Sequence, residues 1–410
     1  MALVTQMITN LHQALTGPYT PPPVKKEPNA LRFGLLSTAN INRSSILIPA
    51  ASHPSVIVDA VASRQLDLAK SYAKRHSIPK AYGSYQQLLD DPEIDVVYVS
   101  LPNSLHYEWA KKALLADKHV LVEKPFTTTS SEARDLFRLA DQKKKVLMEA
   151  YHNQFHPASH VVQEIIASGK LGRVIKTTSS MVVPNLAIPA NDIRWNYELG
   201  GGSILDEGYA VSAPRFFLQG LRPEIVSACA RSFKKDGRLD EAMEVDMNVK
   251  DRDSRNVECR VMTDLARPYV AGIIPRFWES PVFEATCEKG KITFTNFIMP
   301  HVFHSIQVTD ENGKTETIKA YEGGPKWKNT GESWWSTYRY QMEALVDKIR
   351  GKEPAHWLEG EDTIAEMDTV DAILEKSGLG KRVGKVQPSE ETVRIEGEML
   401  RRPDPVAVAA

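Results

Sequence analysis

Between Leu31 and Ala150, short apolar runs alternate with amphipathic stretches, and this alternation constrains the fold more than any other feature of the 410-residue chain. The runs are Leu31–Leu36, Val56–Ala62, Asp95–Leu101, Val120–Val122 and Val146–Ala150. Helical spacing predicts helices over Ile41–Ala50, Leu66–His76, Tyr85–Leu89, Leu105–Ala116 and Ser130–Gln142. Strands separated by helices make βαβ units, which require a parallel sheet with helices on its faces. Residues 31–152 are therefore expected to form a Rossmann-type doubly wound α/β domain. Ligands of such sheets sit beyond the carboxyl ends of the strands. The run HVLVEKPF, His119–Phe126, ends its strand in Glu123-Lys124-Pro125, which makes Lys124 a candidate for chemistry.

After Gly172 the pattern changes. β-rich segments follow one another over Val174–Val183, Glu224–Arg231, Asn248–Met262, Phe283–Glu288 and Lys291–Phe294, with turn signals at Glu288-Lys289-Gly290 and Asp310–Gly313. Succession without long crossovers favours antiparallel pairing. Helices are expected over Pro157–Gly169, from near Asp206, and over Thr337–Arg350 and Thr363–Lys376. Residues 153–385 are thus read as an α+β domain with a large, mainly antiparallel, open-faced sheet. Residues 1–30 are read as an extension, in which Leu3, Met7, Ile8, Leu11 and Leu15 suggest a short helix halted by Pro18 and Pro21–Pro23. Residues 386–410 are read as a peripheral tail.

The totals exclude several classes of function. A net charge of -1 gives no reason to expect nucleic acid or an anionic membrane as partner. No apolar run approaches the roughly 18–20 residues of a membrane span, and the N-terminus lacks the basic and apolar regions of a signal peptide. Three scattered cysteines, Cys229, Cys259 and Cys287, form no CxxC pair and suit a reducing compartment, so a cytoplasmic location is expected.

The first strand runs into Ser37-Thr38-Ala39-Asn40-Ile41-Asn42. A Rossmann GxGxxG would put glycines at 37, 39 and 42. Small or polar residues there still let a pyrophosphate approach the helix N-terminus, so Ser37, Ala39, Asn40 and Ile41 are candidate cofactor ligands. The second strand ends at Ser63-Arg64. An NAD-selective site carries an acidic residue at this place; a serine and an arginine suit a 2′-phosphate, so NADP is expected in preference to NAD. Leu101, Asn103 and His106, after the DVVYVS strand, together with Glu123 and Lys124, complete the cofactor-facing set. His152 and His156 stand at i and i+4. A metal site is not expected there, because the Glu of HExxH is absent and Pro157 opposes a regular helix through the pair. Three glycines, Gly200–Gly202, allow close backbone approach. Asp206 and Tyr209 follow at i,i+3 near a helix start. Tyr151, His152, Gln154, Arg194 and Trp195 are placed near the substrate by position.

In their order, GLLSTANI, SYQQLLDDPEIDVVYVSLPNSLHYEWAKKAL, HVLVEKPF, MEAYHNQFHP, GGGSILDEGY and WWSTYRYQMEALVDKIRG resemble the Gfo/Idh/MocA oxidoreductases. Within that family they are most similar to the group of NADP-dependent D-xylose 1-dehydrogenases and dimeric dihydrodiol dehydrogenases, in fungal-type members. The resemblance covers about Leu31 to Arg382. It implies hydride transfer between a nicotinamide and a sugar, diol or related small carbonyl compound, and a homodimer through the open sheet. It also implies Tyr209 as acid/base, Lys124 lowering its pKa and holding the substrate oxygen, and Asp206 orienting Lys124 or a hydroxyl. The family's D-x-G-x-H/Y pattern puts the acid/base four residues after the aspartate. Here that position is Ala210, and Tyr209 comes one residue early, a rotation of about 100° on a regular helix. Either the turn restores the hydroxyl or the usual acid/base is lost. A specialised biosynthetic reductase and a cofactor-binding regulator without turnover are the alternative readings.

Overall fold

The computed structural model describes residues 21–384, apart from 275, 277, 278, 280 and 329. The helix expected within residues 1–20 and the tail from 386 lie outside the described residues. Six strands form the first sheet: β1 (Leu31–Leu36), β2 (Val56–Ala62), β3 (Lys80–Tyr82), β4 (Val96–Val99), β5 (His119–Val122) and β6 (Leu147–Glu149). All pair in parallel, in the order β3-β2-β1-β4-β5-β6. Their apolar runs are buried on both faces, which is why they read as continuous rather than alternating. The chain reverses its winding between β1 and β4, and a crevice opens at that switch point. Register aligns the strand ends there. Leu36 pairs with Ala62 and Val99, Val99 with Val122, and Val122 with Glu149. Ser37, Ser63, Ser100 and Glu123 therefore emerge along one edge.

Eight strands form the second sheet: β7 (Val174–Pro184), β8 (Glu224–Phe233), β9 (Asp236–Lys250), β10 (Asn256–Arg267), β11 (Val282–Cys287), β12 (Gly290–Thr295), β13 (Ser305–Asp310) and β14 (Thr315–Ile318). The order is β14-β13-β12-β11-β7-β10-β9-β8, antiparallel except for β7 with β10. Val245, Met247, Val249, Val257, Cys259, Val261, Phe283 and Phe294 are buried in the core. The alternate positions Glu244, Asp246, Arg260 and Glu284 are not.

The single strand expected over Asn248–Met262 is two strands. Asp251 breaks it by accepting the N–H groups of Asp253 and Arg255, each at 2.9 Å, so the charged run Asp251–Arg255 is a turn. β3, β13, β14 and β9 before Asn248 were not expected; β3 and β14 have only 3 and 4 residues, and β13 fully buries Ile306 alone. The first crossover helix is π-helical over Arg43–Leu47 before α1 (Ile48–Ala51).

Other helices match their spacing: α2 (Leu66–His76), α3 (Tyr85–Leu89), α4 (His106–Leu115), α5 (Ser130–Lys143) and α6 (Pro157–Ala167). α5 starts with a capping box, since Thr129 accepts the Glu132 N–H at 3.4 Å and Glu132 accepts the Thr128 N–H at 3.1 Å. The helix expected from Asp206 is two pieces, α7 (Ser203–Asp206) and α8 (Tyr209–Leu218). The closing helices α9 (Thr337–Ile349) and α10 (Gly360–Lys376) return to the first domain. Asp371 accepts the Ser130 N–H at 3.0 Å, and Arg134 pairs with Asp368 at 2.7 Å. Among the described residues no helix is long and apolar enough to cross a membrane.

Candidate active site

The end of β1 lacks glycines and is held by side chains instead. Ser37 has φ +128°, the left-handed region a glycine would favour. Its hydroxyl accepts the Ala39 N–H at 3.1 Å and donates to the Ser100 carbonyl at 3.0 Å. Asn42 donates to the Ser37 carbonyl at 2.9 Å and accepts from Ser100 at 2.6 Å. These bonds stitch β1 to β4 across the switch point and keep the turn open at Asn40, which is exposed. Beyond β2, Ser63 is buried and Arg64 exposed, and no carboxylate pairs with Arg64 among the described residues. A helix start, a hydroxyl and an exposed guanidinium that touches the Tyr85 hydroxyl lie on one sheet edge, a donor set that fits a dinucleotide carrying an extra phosphate.

Lys124 follows Glu123 at the end of β5. Glu123 is buried and accepts the Tyr98 hydroxyl, which fixes the strand end. The Lys124 ammonium donates to the Asp206 carbonyl at 2.5 Å and lies 3.3 Å from its carboxylate. Arg194 donates to the other carboxylate oxygen at 2.6 Å. Burial pushes the Asp206 carboxyl up, but Lys124 and Arg194 outweigh it and hold it below its ordinary value. Asp206 therefore presents a charged carboxylate that positions both cations.

The Gly-rich run brings Asp206 to Lys124. A Cβ on Gly200 would lie 2.8 Å from the Asn103 Cβ, and Asn103 donates to the Gly200 carbonyl at 2.8 Å. A Cβ on Gly201 would lie 2.3 Å from the Arg194 carbonyl oxygen. Asp240, a fully buried residue of β9, accepts from the Ser203 hydroxyl at 2.7 Å and the Ile204 N–H at 2.6 Å, capping α7.

Tyr209 opens α8 after the break at Glu207-Gly208. Its ring lies under Lys124, whose ammonium is 5.2 Å from the ring centroid, and its hydroxyl is 2.8 Å from the His152 Nε2. The early tyrosine thus reaches the lysine because the helix restarts. On balance the phenolate expected of Tyr209 is not favoured. Lys124 sits over the ring face and pairs with Asp206, while burial, then Tyr338 and Glu123, push the Tyr209 phenol well above its ordinary value. The phenol is neutral and fit to give a proton.

Several expected contacts go elsewhere. His106, expected at the cofactor, is fully buried; both ring nitrogens lie 2.8 Å from carbonyls, those of Pro125 and Leu101, and pin the two strand-end loops together. Tyr151 and Gln154 line a cavity of about 310 Å³ with Arg215, Glu366 and His356, a cavity that neither Lys124 nor Tyr209 lines. Trp195 stacks on Phe233 at 4.8 Å. His152 and His156 do not converge: His156 caps α6 by accepting the Ala158 N–H at 3.2 Å. The acidic cluster Asp59, Asp91 and Glu93 surrounds the Lys80 ammonium at 2.5–3.1 Å. Sequence reasoning missed Thr337, Tyr338 and His301. Tyr338 stacks on His152 at 4.0 Å. The WWSTYRYQM segment marked this region as a whole, with nothing to single out its residues.

Fold and family together define a two-domain oxidoreductase whose first domain is of the dinucleotide-binding Rossmann type. The chain belongs to the GFO/IDH/MocA oxidoreductases: residues 32–151 match the oxidoreductase family with an NAD-binding Rossmann fold, and residues 160–293 match the GFO/IDH/MocA C-terminal domain. It is 32% identical over 359 residues to D-xylose 1-dehydrogenase (NADP(+)) 2 of Haloferax volcanii, covering 86% of this chain and 99% of that one. It is 42% identical over 191 residues to dTDP-3,4-didehydro-2,6-dideoxy-alpha-D-glucose 3-reductase of Saccharopolyspora spinosa, covering 46% and 57% of the two chains. The crystal structure of a 3-ketoreductase from Actinomadura kijaniata with NADP and TDP-benzene superimposes with a TM-score of 0.70 at 24% identity, over 85% of this chain and 98% of that one, a likeness of fold.

Proposed function

We propose that this protein is an NADPH-dependent reductase of a keto group on a sugar-like substrate, serving a specialised biosynthetic route. The observation that carries the reading is Lys124 anchored on Asp206 at the end of β5, beside the neutral Tyr209 phenol. Reduction of a ketone needs a cation to polarise the carbonyl oxygen and an acid to protonate it, and these two groups offer both. Ser63 and Arg64 hold the 2′-phosphate, and the turn Ser37–Ile41 the pyrophosphate. When bound, NADPH supplies the hydride. The higher identity to the dTDP-sugar 3-reductase supports a nucleotide-linked keto sugar. The nearly full-length match to D-xylose 1-dehydrogenase supports a second reading, oxidation of an aldose or diol with NADP. The reading includes a homodimer through the open face of the second sheet, which sedimentation of the full chain tests.

The deciding experiment follows NADPH consumption by absorbance with dTDP-linked keto-deoxysugars, beside NADPH formation with D-xylose and trans-diols. Faster turnover of the keto sugars is expected. Turnover confined to D-xylose or diols would replace the reductase with the second reading. Tight NADPH binding without any turnover would overturn both and leave a regulator.

A further inference from the structure

Behind Tyr209 a line of hydrogen bonds leads out of the site. Tyr209 is 4% exposed and His152 is 2% exposed, and the hydroxyl of one is 2.8 Å from the Nε2 of the other. The His152 Nδ1 is 2.9 Å from the Thr337 hydroxyl, and that hydroxyl is 3.2 Å from the Nδ1 of His301, which is partly exposed. Hydroxyls and imidazoles each donate and accept, so the direction of such a line is open until a fixed donor sets it.

The fixed donor is the Thr337 backbone N–H, which points at the same His301 Nδ1 from 3.4 Å. Thr337 is the first residue of α9, where an N–H has no partner within the helix. The His301 Nδ1 must therefore be an acceptor. It follows that the Thr337 hydroxyl donates to it, the His152 Nδ1–H donates to Thr337, and the Tyr209 hydroxyl donates to the His152 Nε2. Every hydrogen points outward.

We propose that His152, Thr337 and His301 are a proton relay joining the Tyr209 hydroxyl to solvent. The proposal rests on Tyr209 as the acid/base of the reaction. When an alcohol is oxidised, its hydroxyl proton passes to the Tyr209 oxygen as the tyrosine's own hydrogen moves to the His152 Nε2. The His152 Nδ1 hydrogen moves to the Thr337 oxygen, and the threonine hydrogen moves to the His301 Nδ1. His301, now an imidazolium, releases its Nε2 proton to solvent. Reduction runs the line inward with each bond reversed. The inward run starts from the setting that the outward run leaves, with hydrogens on the His152 Nε2 and the His301 Nδ1: Tyr209 gives its hydrogen to the carbonyl oxygen and recovers one from the His152 Nε2, and His301 takes up a proton from solvent at Nε2. Thr337 and His301 do not touch the substrate; they act through Tyr209.

Two measurements test it, and the first does not depend on the substrate. Nitrogen-15 spectra of the full chain, with His152 and His301 assigned by His→Gln variants, report the tautomers. The relay requires His152 protonated at Nδ1 and His301 at Nε2, and the His152 signal must change in Thr337→Val and return in Thr337→Ser. A His152 protonated at Nε2, or a signal indifferent to Thr337→Val, overturns the proposal whether or not the enzyme reading stands. In turnover, Thr337→Val is expected to lower kcat by about tenfold and raise the solvent deuterium isotope effect, with KM for NADPH unchanged and Thr337→Ser restoring both. Equal kcat and isotope effect in a folded Thr337→Val also overturn it. Failure of the parent to turn over any substrate, with the tautomers as required, would count against the proposed function alone.

Discussion

At the scale of single residues, two side chains separate cofactor binding from chemistry. Arg64 stands exposed beyond β2, bonded to the Tyr85 hydroxyl and without a carboxylate partner among the described residues, and in the proposed function it pairs with the 2′-phosphate. Arg64→Ala is expected to raise KM for NADPH by about 10–100-fold and leave NADH use nearly unchanged, the loss of one charge-assisted contact. Steady-state kinetics with both nucleotides checks this; an equal loss with each would place the 2′-phosphate elsewhere. In the proposed reaction Lys124 polarises the reacting oxygen, so Lys124→Ala is expected to lower kcat by about 10²–10³-fold. NADPH affinity, read by fluorescence titration, should stay near the parent value. That Lys124, Asp206 and Tyr209 are candidates was legible in sequence, because a strand end, a glycine run and a helix start each announce themselves locally, and the structure brings the three together. Thr337 and His301 were not. What singles them out is contact with residues 185 and 36 positions away, respectively, on another element.

At the scale of elements, the segment from Gly200 to Leu218 decides whether the site assembles. Gly202 has φ +113°, and a Cβ there would lie 2.4 Å from the Asp240 carboxylate and 2.9 Å from the Arg382 guanidinium. Asp240 is fully buried and caps α7, so it has no room to move. Gly202→Ala is expected to destabilise the protein by about 2–4 kcal/mol through strain and collision together. Gly237→Ala, with nothing within 4 Å, is the control and should change stability by no more than about 0.5 kcal/mol. Urea unfolding of both variants measures the difference. The glycine run announced a close approach; what it approaches, Asn103 for Gly200, Arg194 for Gly201 and Asp240 for Gly202, depends on which elements the fold stacks together. The break between α7 and α8 was hidden for a similar reason. Glu207-Gly208 carries no strong stop signal, yet the buried Glu207 carboxylate accepts the Asp264 N–H at 2.8 Å and ties the break to β10.

For the whole molecule, the buried acids where the domains meet set a pH dependence of stability. Glu149, at the end of β6, is 1% exposed and lies beside Glu366 and Arg215. Burial first, and then the charge of Glu366, raises its carboxyl to about 8; the Phe126 N–H, Thr363 and Arg215 pull the other way without winning. The folded state thus keeps a proton that the unfolded chain has released above the ordinary carboxylate range. Stability must fall as pH rises from that range to about 8, and the penalty is constant above it. Glu149→Gln removes this group from the balance. Its melting temperature is expected to fall less than the parent's between about pH 5 and pH 9, by scanning calorimetry. Parallel curves for the two proteins would refute the assignment.

By itself the sequence determined the order of strands and helices in the first domain apart from the short β3, the parallel sheet, and the position of Lys124 at a strand end. These are local matters: periodicity, turn residues and chain direction need only a few neighbouring residues to be read. The tertiary structure alone decided that the second sheet contains one parallel pair, that His106 is a clasp, and that Tyr151 lines a cavity that Tyr209 does not. It also decided that the displaced Tyr209 reaches Lys124 and takes His152 as partner. Each of these turns on where a side chain points after distant segments have packed, and a pattern of neighbours along the chain holds no record of that.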